Sequence, residues 1–194
     1  MDNLFTPPLQ ADDRAQALAT ITSAFAHDPV ERWLYPDDIQ YREHFPEFAA
    51  ALGGGAFEQQ TAWASSDGAA VALWLPPGAE TDDTSIVEIL TKTVSPAQHE
   101  DMFGVLEQMA SAHPPDRHWY LAWLAVDPSL QANGRGGHLL QQCLVTVDAT
   151  HLPAYLETPS PRTIDFYRRH GFEVTGRTKA GTCPPLTFML RTAR

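Results

Sequence analysis

Cysteine, positive charge and long apolar runs are all scarce in this chain of 194 residues. Its two cysteines, Cys143 and Cys183, belong to no CxxC and have no neighbouring histidine pair, which excludes a zinc finger or dithiol redox motif, and no metal site is expected. Cys143 falls on an apolar helical face and reads as core packing. The longest purely apolar stretch, Trp119 to Val126, has eight residues, whereas a membrane-spanning helix needs about twenty. MDNLFTPPLQ carries an early aspartate and neither a basic n-region nor an apolar h-region, so no signal peptide is read and a cytoplasmic location is expected. Lys and Arg number 13 against 24 Asp and Glu, a net charge of −11 that disfavours nucleic acid as a partner. The same charge serves solubility or draws cationic small molecules. With 43% hydrophobic residues, no repeat and no low-complexity tract, the composition is globular.

Periodicity supplies the order of elements. Asp12 or Asp13 can cap a helix carrying Leu18, Ile21 and Phe25, ended by His27-Asp28-Pro29. A second helix is expected from Ile39 to Leu52, with Gly53, Gly54 and Gly55 as a flexible stop. TAWASSDGAAVALWLPPG reads as a hairpin turning at Asp67-Gly68, and helices follow over about 85–93 and 96–111. HWYLAWLAV is expected as a central strand covered on both faces. Beyond it come a helix through Leu139, Leu140, Cys143, Leu144 and Val147, the strand PAYLET, a helix from Ser160-Pro161 through Tyr167 ended by Gly171, and strands at FEV and LTFML. The class is α/β or α+β around one mixed sheet.

VDPSLQANGRGGHLL, 126–140, sets three glycines between the buried strand and a helix start. Unpaired N–H groups and the positive helix end make such a turn an anion site, above all for phosphate. It is not a Rossmann fingerprint, which wants glycine where Leu139 stands, nor a Walker loop, whose lysine is missing.

Gln131-x-x-Gly134-x-Gly136 after LAVDP resembles the pyrophosphate loop of the GNAT superfamily of N-acetyltransferases, and PAYLETPSPRTIDFYRRHGFEV resembles that superfamily's second signature. SSDGAAVALW and FYRRHGFEVT look like the puromycin N-acetyltransferase-like group. The resemblance implies a GNAT-type fold: a central mixed, mostly antiparallel sheet splayed at the acetyl-CoA site and flanked by helices. It also implies one domain over 1–194, with acceptor-side elements mainly in 12–115 and an acetyl-CoA-binding core at 117–176. The implied activity is acetyl transfer from acetyl-CoA to the primary amine of a small molecule, by direct attack in a ternary complex and as monomer or homodimer. Alternatives are a protein or peptide N-acetyltransferase and an inactive coenzyme-A-binding regulatory domain.

Residue roles follow from the same resemblance. A bulge in the strand before the loop would splay its neighbour, and Leu124, Ala125 and Val126 would offer backbone to the pantetheine arm, the Val126 region polarising the thioester carbonyl. Gln131, Ala132, Asn133, Gly134, Arg135, Gly136 and Gly137 would hold the pyrophosphate, Arg135 adding a charge contact or simply facing solvent. Thr163, where many relatives carry Asn, and Phe166 would line the coenzyme. Tyr167 matches the tyrosine that protonates the leaving thiolate, against the alternative of a core tyrosine beside Phe166. Some superfamily members carry a basic Glu or His where Tyr120 or Ala122 stands, and this chain offers neither; Glu157, near a strand end, is the candidate base instead, directly or through water, or else a carboxylate capping the Ser160 turn. His118 is a proton relay or plain surface. Asp28, Trp33, Tyr35 and Tyr120 are the candidate acceptor contacts, suited to a cationic amine with an apolar body. An amphipathic connector explains 25–38 as well.

Overall fold

The computed structural model describes residues 8–194; the segment MDNLFTP, part of the stretch read above as lacking a signal peptide, lies outside the described residues. A 3₁₀ turn, Ala11–Asp13, leads into α1, Arg14–Ala24. Asp13 does not cap α1 as expected. Its carboxylate instead reaches back to the Gln10 amide (2.8 Å), closing a capping box one turn earlier. A helix not read from the sequence follows: α2, Pro29–Leu34, with proline at its first position and the Asp28 carboxylate accepting from the amides of Val30 (2.9 Å) and Glu31 (3.3 Å). Six residues are too few to show a helical period.

Asp37 caps α3, Asp38–Gly53, in the same way, and the chain then passes into α4, Gly55–Glu58. The three glycines are therefore not a flexible stop. Gly53 lies in the last turn of α3 and Gly54 keeps helical angles. Close approach explains Gly53: a Cβ there would stand 2.5 Å from Cδ1 of Trp123.

The hairpin β1, Ala62–Ala64, and β2, Ala70–Leu75, turns through Gly68 at φ +68°, and α5, Asp83–Thr93, and α6, His99–Ala112, complete the first half. The second half runs β3, Trp119–Val126; α7, Arg135–Asp148; β4, Ala154–Thr158; α8, Pro161–Arg169; β5, Glu173–Arg177; and β6, Thr187–Arg191. The six strands form one sheet in the order β1-β2-β3-β4-β6-β5, antiparallel throughout except for the parallel β3–β4 pair.

Each face of the sheet carries its own apolar core. Ile21, Tyr41, Phe45 and Trp123 meet on the side of α1 to α6, and Trp74, Leu140, Val147 and Phe172 meet under α7 and α8. Trp123 anchors the first: its indole N–H donates to the Ala49 carbonyl (3.0 Å) and its ring meets Phe25, Phe45 and Phe48 edge-on. On the opposite side the buried Arg191 of β6 pairs with Asp148 at the end of α7 and donates from Nε to the His170 carbonyl (2.9 Å), latching the last strand to two helices. Among the described residues no helix is long and apolar enough to cross a membrane.

Candidate active site

β3 holds the irregularity on which the site depends. Leu73 of β2 pairs with Trp123, but the next residue, Trp74, pairs with Leu121, so Ala122 is an extra residue in β3. A bulge reverses the alternation of faces. Leu121 packs under α7, whereas Trp123, two positions on, packs with α3 on the other side. β3 and β4 pair only at Trp119–Ala154 and Tyr120–Tyr155, although β3 runs on to Val126 and β4 to Thr158. The strands part immediately before the bulge, leaving the β4-facing backbone beyond Tyr120 without a strand partner among the described residues.

A cavity of about 950 Å³ opens at this split, lined among others by Glu31, Trp33, Tyr120, Glu157, Thr163 and Tyr167. Tyr167 is buried with its ring against Phe166 and Phe172, and burial pushes its pKa well above the usual phenol value. It makes no hydrogen bond among the described residues, so its proton is not committed to a structural partner. Glu157, the last residue but one of β4, has its side chain almost wholly enclosed, and Oε1 lies 3.4 Å from Nε2 of His113. His113 packs on the rings of Tyr120 and Tyr155, and its Nδ1 is 3.1 Å from Nε2 of His118. Nδ1 of His118 in turn meets the Asp116 carbonyl at 2.8 Å. His113, His118 and the Asp116 carbonyl thus form a hydrogen-bonded chain that begins beside Glu157, whose Oε1 itself has no hydrogen-bond partner. Burial first, and the nearby Glu157 carboxylate second, raise the pKa of both Tyr120 and Tyr155. Glu157 does not cap the Ser160 turn; Thr163 does that, donating to the Ser160 carbonyl (2.7 Å) and bonding the Thr158 hydroxyl. His113 was not singled out in the sequence.

The glycine loop lies outside the cavity, on the far side of Val126. Ala132 and Gly134 adopt positive φ (62° and 77°), and α7 begins at once, leaving the amides of Arg135, Gly136 and Gly137 at its open end. Gly136 packs its Cα face on Val126, where a Cβ would stand 3.2 Å from Cγ2, and Gly137 faces His170 and Phe166. Arg135 is neither free nor aimed at the loop: it pairs with Asp67 of the β1–β2 turn, whose carboxyl is held down to about 2 by hydrogen bonds from Ser65, Ala69 and Arg135. Gln131 donates to the Val126 carbonyl (3.1 Å), Ala132 and Asn133 are exposed, and Leu124 lines the cavity while Ala125 faces the opposite core.

On the acceptor side the four candidates separate. Asp28, Trp33 and Tyr120 line the cavity. The Trp33 indole is held by the Thr182 hydroxyl (3.1 Å), which Asp101 holds in turn (2.8 Å). Tyr35 is not in the cavity wall: it is fully buried, bonded to the Thr93 hydroxyl (2.9 Å), because its side chain leaves α2 toward α5. Glu31, named in no site by the sequence beyond being one acid of that segment, is buried, lines the cavity, and leaves Oε2 without a hydrogen-bond partner.

Comparison with known proteins agrees with this geometry. Residues 98–174, from α6 into β5, match the family described as acetyltransferase (GNAT) domain. The whole fold is that of solved acetyltransferases. A structure described as histone acetyltransferase HPA2 and related acetyltransferase, from Corynebacterium glutamicum, shares 24% identity over 98% of each chain with a TM-score of 0.65. An agmatine N-acetyltransferase shares 10% identity over 95% of this chain and 96% of its own (TM-score 0.64). A mosquito arylalkylamine N-acetyltransferase-like protein shares 12% over 95% and 97% (TM-score 0.58). The fold is therefore of the GNAT type, with a split, mostly antiparallel sheet flanked by helices.

Proposed function

We propose that this protein is an acetyl-CoA-dependent N-acetyltransferase whose acceptor is the primary amine of a small molecule, attacking directly within a ternary complex. The observation that carries this reading is the split between β3 and β4, with Glu157 and Tyr167 facing one cavity beside it. The unpartnered β3 backbone suits the amide-bearing pantetheine arm as an added strand, and the open end of α7 suits its pyrophosphate. Within the superfamily we group the chain with the puromycin N-acetyltransferase-like proteins, on its SSDGAAVALW and FYRRHGFEVT blocks. The enclosed, largely apolar acceptor side suits a small molecule better than a polypeptide.

The chemistry needs an unprotonated amine, a proton acceptor and a proton donor. Glu157 takes a proton from the ammonium, and His113 and His118 lead it outward. The amine nitrogen then bonds to the thioester carbonyl carbon, the carbon–sulfur bond breaks, and the Tyr167 hydroxyl gives its proton to sulfur. The second proton of the former ammonium leaves by the Glu157 route and the Tyr167 phenolate regains a proton from solvent, so over one turnover the ammonium loses two protons, sulfur gains one, and one net proton reaches solvent. Burial keeps the Tyr167 phenol protonated at neutral pH, which a donor requires.

Thiol release measured against a panel of amines, with product mass, tests the reading. Release that depends on amine, with acetylated product, is expected. Acetyl-CoA binding without release on any small amine or peptide would refute catalysis and leave a coenzyme-binding domain.

A further inference from the structure

The cavity that Glu157 lines also holds, on α2, an acid with no counter-ion. Glu31 is only 7% exposed, lines the cavity, and its Oε2 has no partner. Asp28, one turn earlier, lines the same wall, its Oδ1 occupied by the cap of α2. The neighbouring cation does not serve them. Arg32 turns the other way, donating to the Pro36 carbonyl (2.6 Å) and Asp38 (2.7 Å) with its guanidinium over Tyr41. Among the described residues no ion pair or hydrogen bond joins a Lys, Arg or His to either carboxylate. Glu31 is felt in turn by Tyr35, Tyr41 and Cys183, whose pKa values all rise, first through burial and also through Glu31. Trp33, Phe25 and Trp123 supply the apolar and aromatic wall beside them.

We propose that Glu31, assisted by Asp28, seats a second positive charge of the acceptor, so that the preferred substrate is an amine bearing a distal ammonium or guanidinium at the other end of an apolar chain. This rests on the reading of the cavity as the acceptor site of an acetyltransferase. Burial first, and the neighbouring Asp28 carboxylate second, raise the pKa of Glu31 well above the usual carboxylate range, so the empty site holds a proton there and a ligand cation, where no protein cation serves, is what lets Glu31 ionise. The two acids then make opposite demands. Near Glu157 and Tyr167 the amine must lose its charge to react; near Glu31 a charge must remain. A monoamine leaves Glu31 unpaired, and an α-amino acid brings a carboxylate towards two acids. Trp33, fixed by Thr182, offers its ring to the connecting chain or to the cation itself.

The test compares α,ω-diamines of increasing chain length with n-alkylamines of the same length. For the wild type we expect kcat/KM to favour the diamine by roughly 10- to 100-fold at one optimal length, as a charge-assisted contact gives. In Glu31→Gln, which keeps the side-chain size and removes the capacity to ionise against a cation, the diamine-to-monoamine ratio should fall to within about threefold. A wild-type ratio near one, or an undiminished ratio in Glu31→Gln, overturns the proposal. If no amine releases thiol, the acetyl-transfer reading fails separately, and calorimetric titration of the diamines into protein with coenzyme A present still decides this one. Binding that Glu31→Gln abolishes supports it; absent binding, or binding that survives the substitution, overturns it.

Discussion

Tyr167 is the residue whose removal separates chemistry from binding most sharply. Phenylalanine keeps the ring against Phe166 and Phe172 and removes only the proton. Tyr167→Phe should lower kcat by roughly 100-fold with little change in KM for acetyl-CoA. A kcat within twofold of wild type would dismiss the acid role, and a rise in KM alone would reassign the ring to packing. Asp28 yields a second prediction, on stability. Burial raises its pKa from 3.8 to about 6, against the lowering effect of its two amide bonds, so the native state holds the proton more tightly than the unfolded chain. The benefit is complete below the unfolded value and fades as pH rises through about 6, a loss of up to about 3 kcal/mol. Asparagine still caps α2 but does not titrate. Urea unfolding should show the wild type losing stability relative to Asp28→Asn as pH rises from about 4 to about 7; parallel curves would contradict the burial argument. The helix that carries Tyr167 was legible because its start at Pro161 and its stop at Gly171 are local signals, whereas the role proposed for Tyr167 came from resemblance. His113 and Glu31 were not: the contact of His113 with Glu157 joins residues far apart in sequence, and one acid among several in 25–38 looks like any solvated charge until the fold encloses it. Tyr35 misled for the same reason, since its letter does not say which way a six-residue helix will turn it.

Among the elements, β3 and the loop after it announced themselves through eight unbroken apolar residues and the glycines that follow. The bulge at Ala122 did not, because no residue type in WYLAWLAV marks it; it was expected only by resemblance. Gly136→Val tests the α7 end. Gly136 itself has ordinary angles, the positive φ belonging to Gly134, so the effect comes from side chain meeting Val126 and covering the open amides. Acetyl-CoA affinity should fall at least tenfold in a folded variant by calorimetry, and unchanged affinity would refute the loop's role. The junction of α3 and α4 supplies another test. Three successive glycines suggested looseness, yet Gly53 meets the Trp123 ring, and Gly53→Ala should destabilise the protein by about 1–3 kcal/mol despite alanine's better helix propensity. A rise in Tm would mean that the Trp123 ring yields freely.

For the molecule as a whole, the charge of −11 and the acids of α2 favour the same acceptors. Amines should outperform their α-carboxylated analogues in kcat/KM, with an advantage that shrinks as salt rises from low to moderate. Equal rates, or a preference for the carboxylated partner, would show that a local cation governs entry. The sheet order has a consequence of another kind. β6 comes last in the sequence, but it lies inside the sheet between β4 and β5 and carries the Arg191 latch. During synthesis β4, held to β3 by two residue pairs alone, must therefore wait exposed until Thr187–Arg191 leave the ribosome. A ribosome-stalled chain ending before Thr187 should be cut rapidly by protease within β4 and β5, and the same segments should become resistant abruptly, not gradually, once the last strand is free.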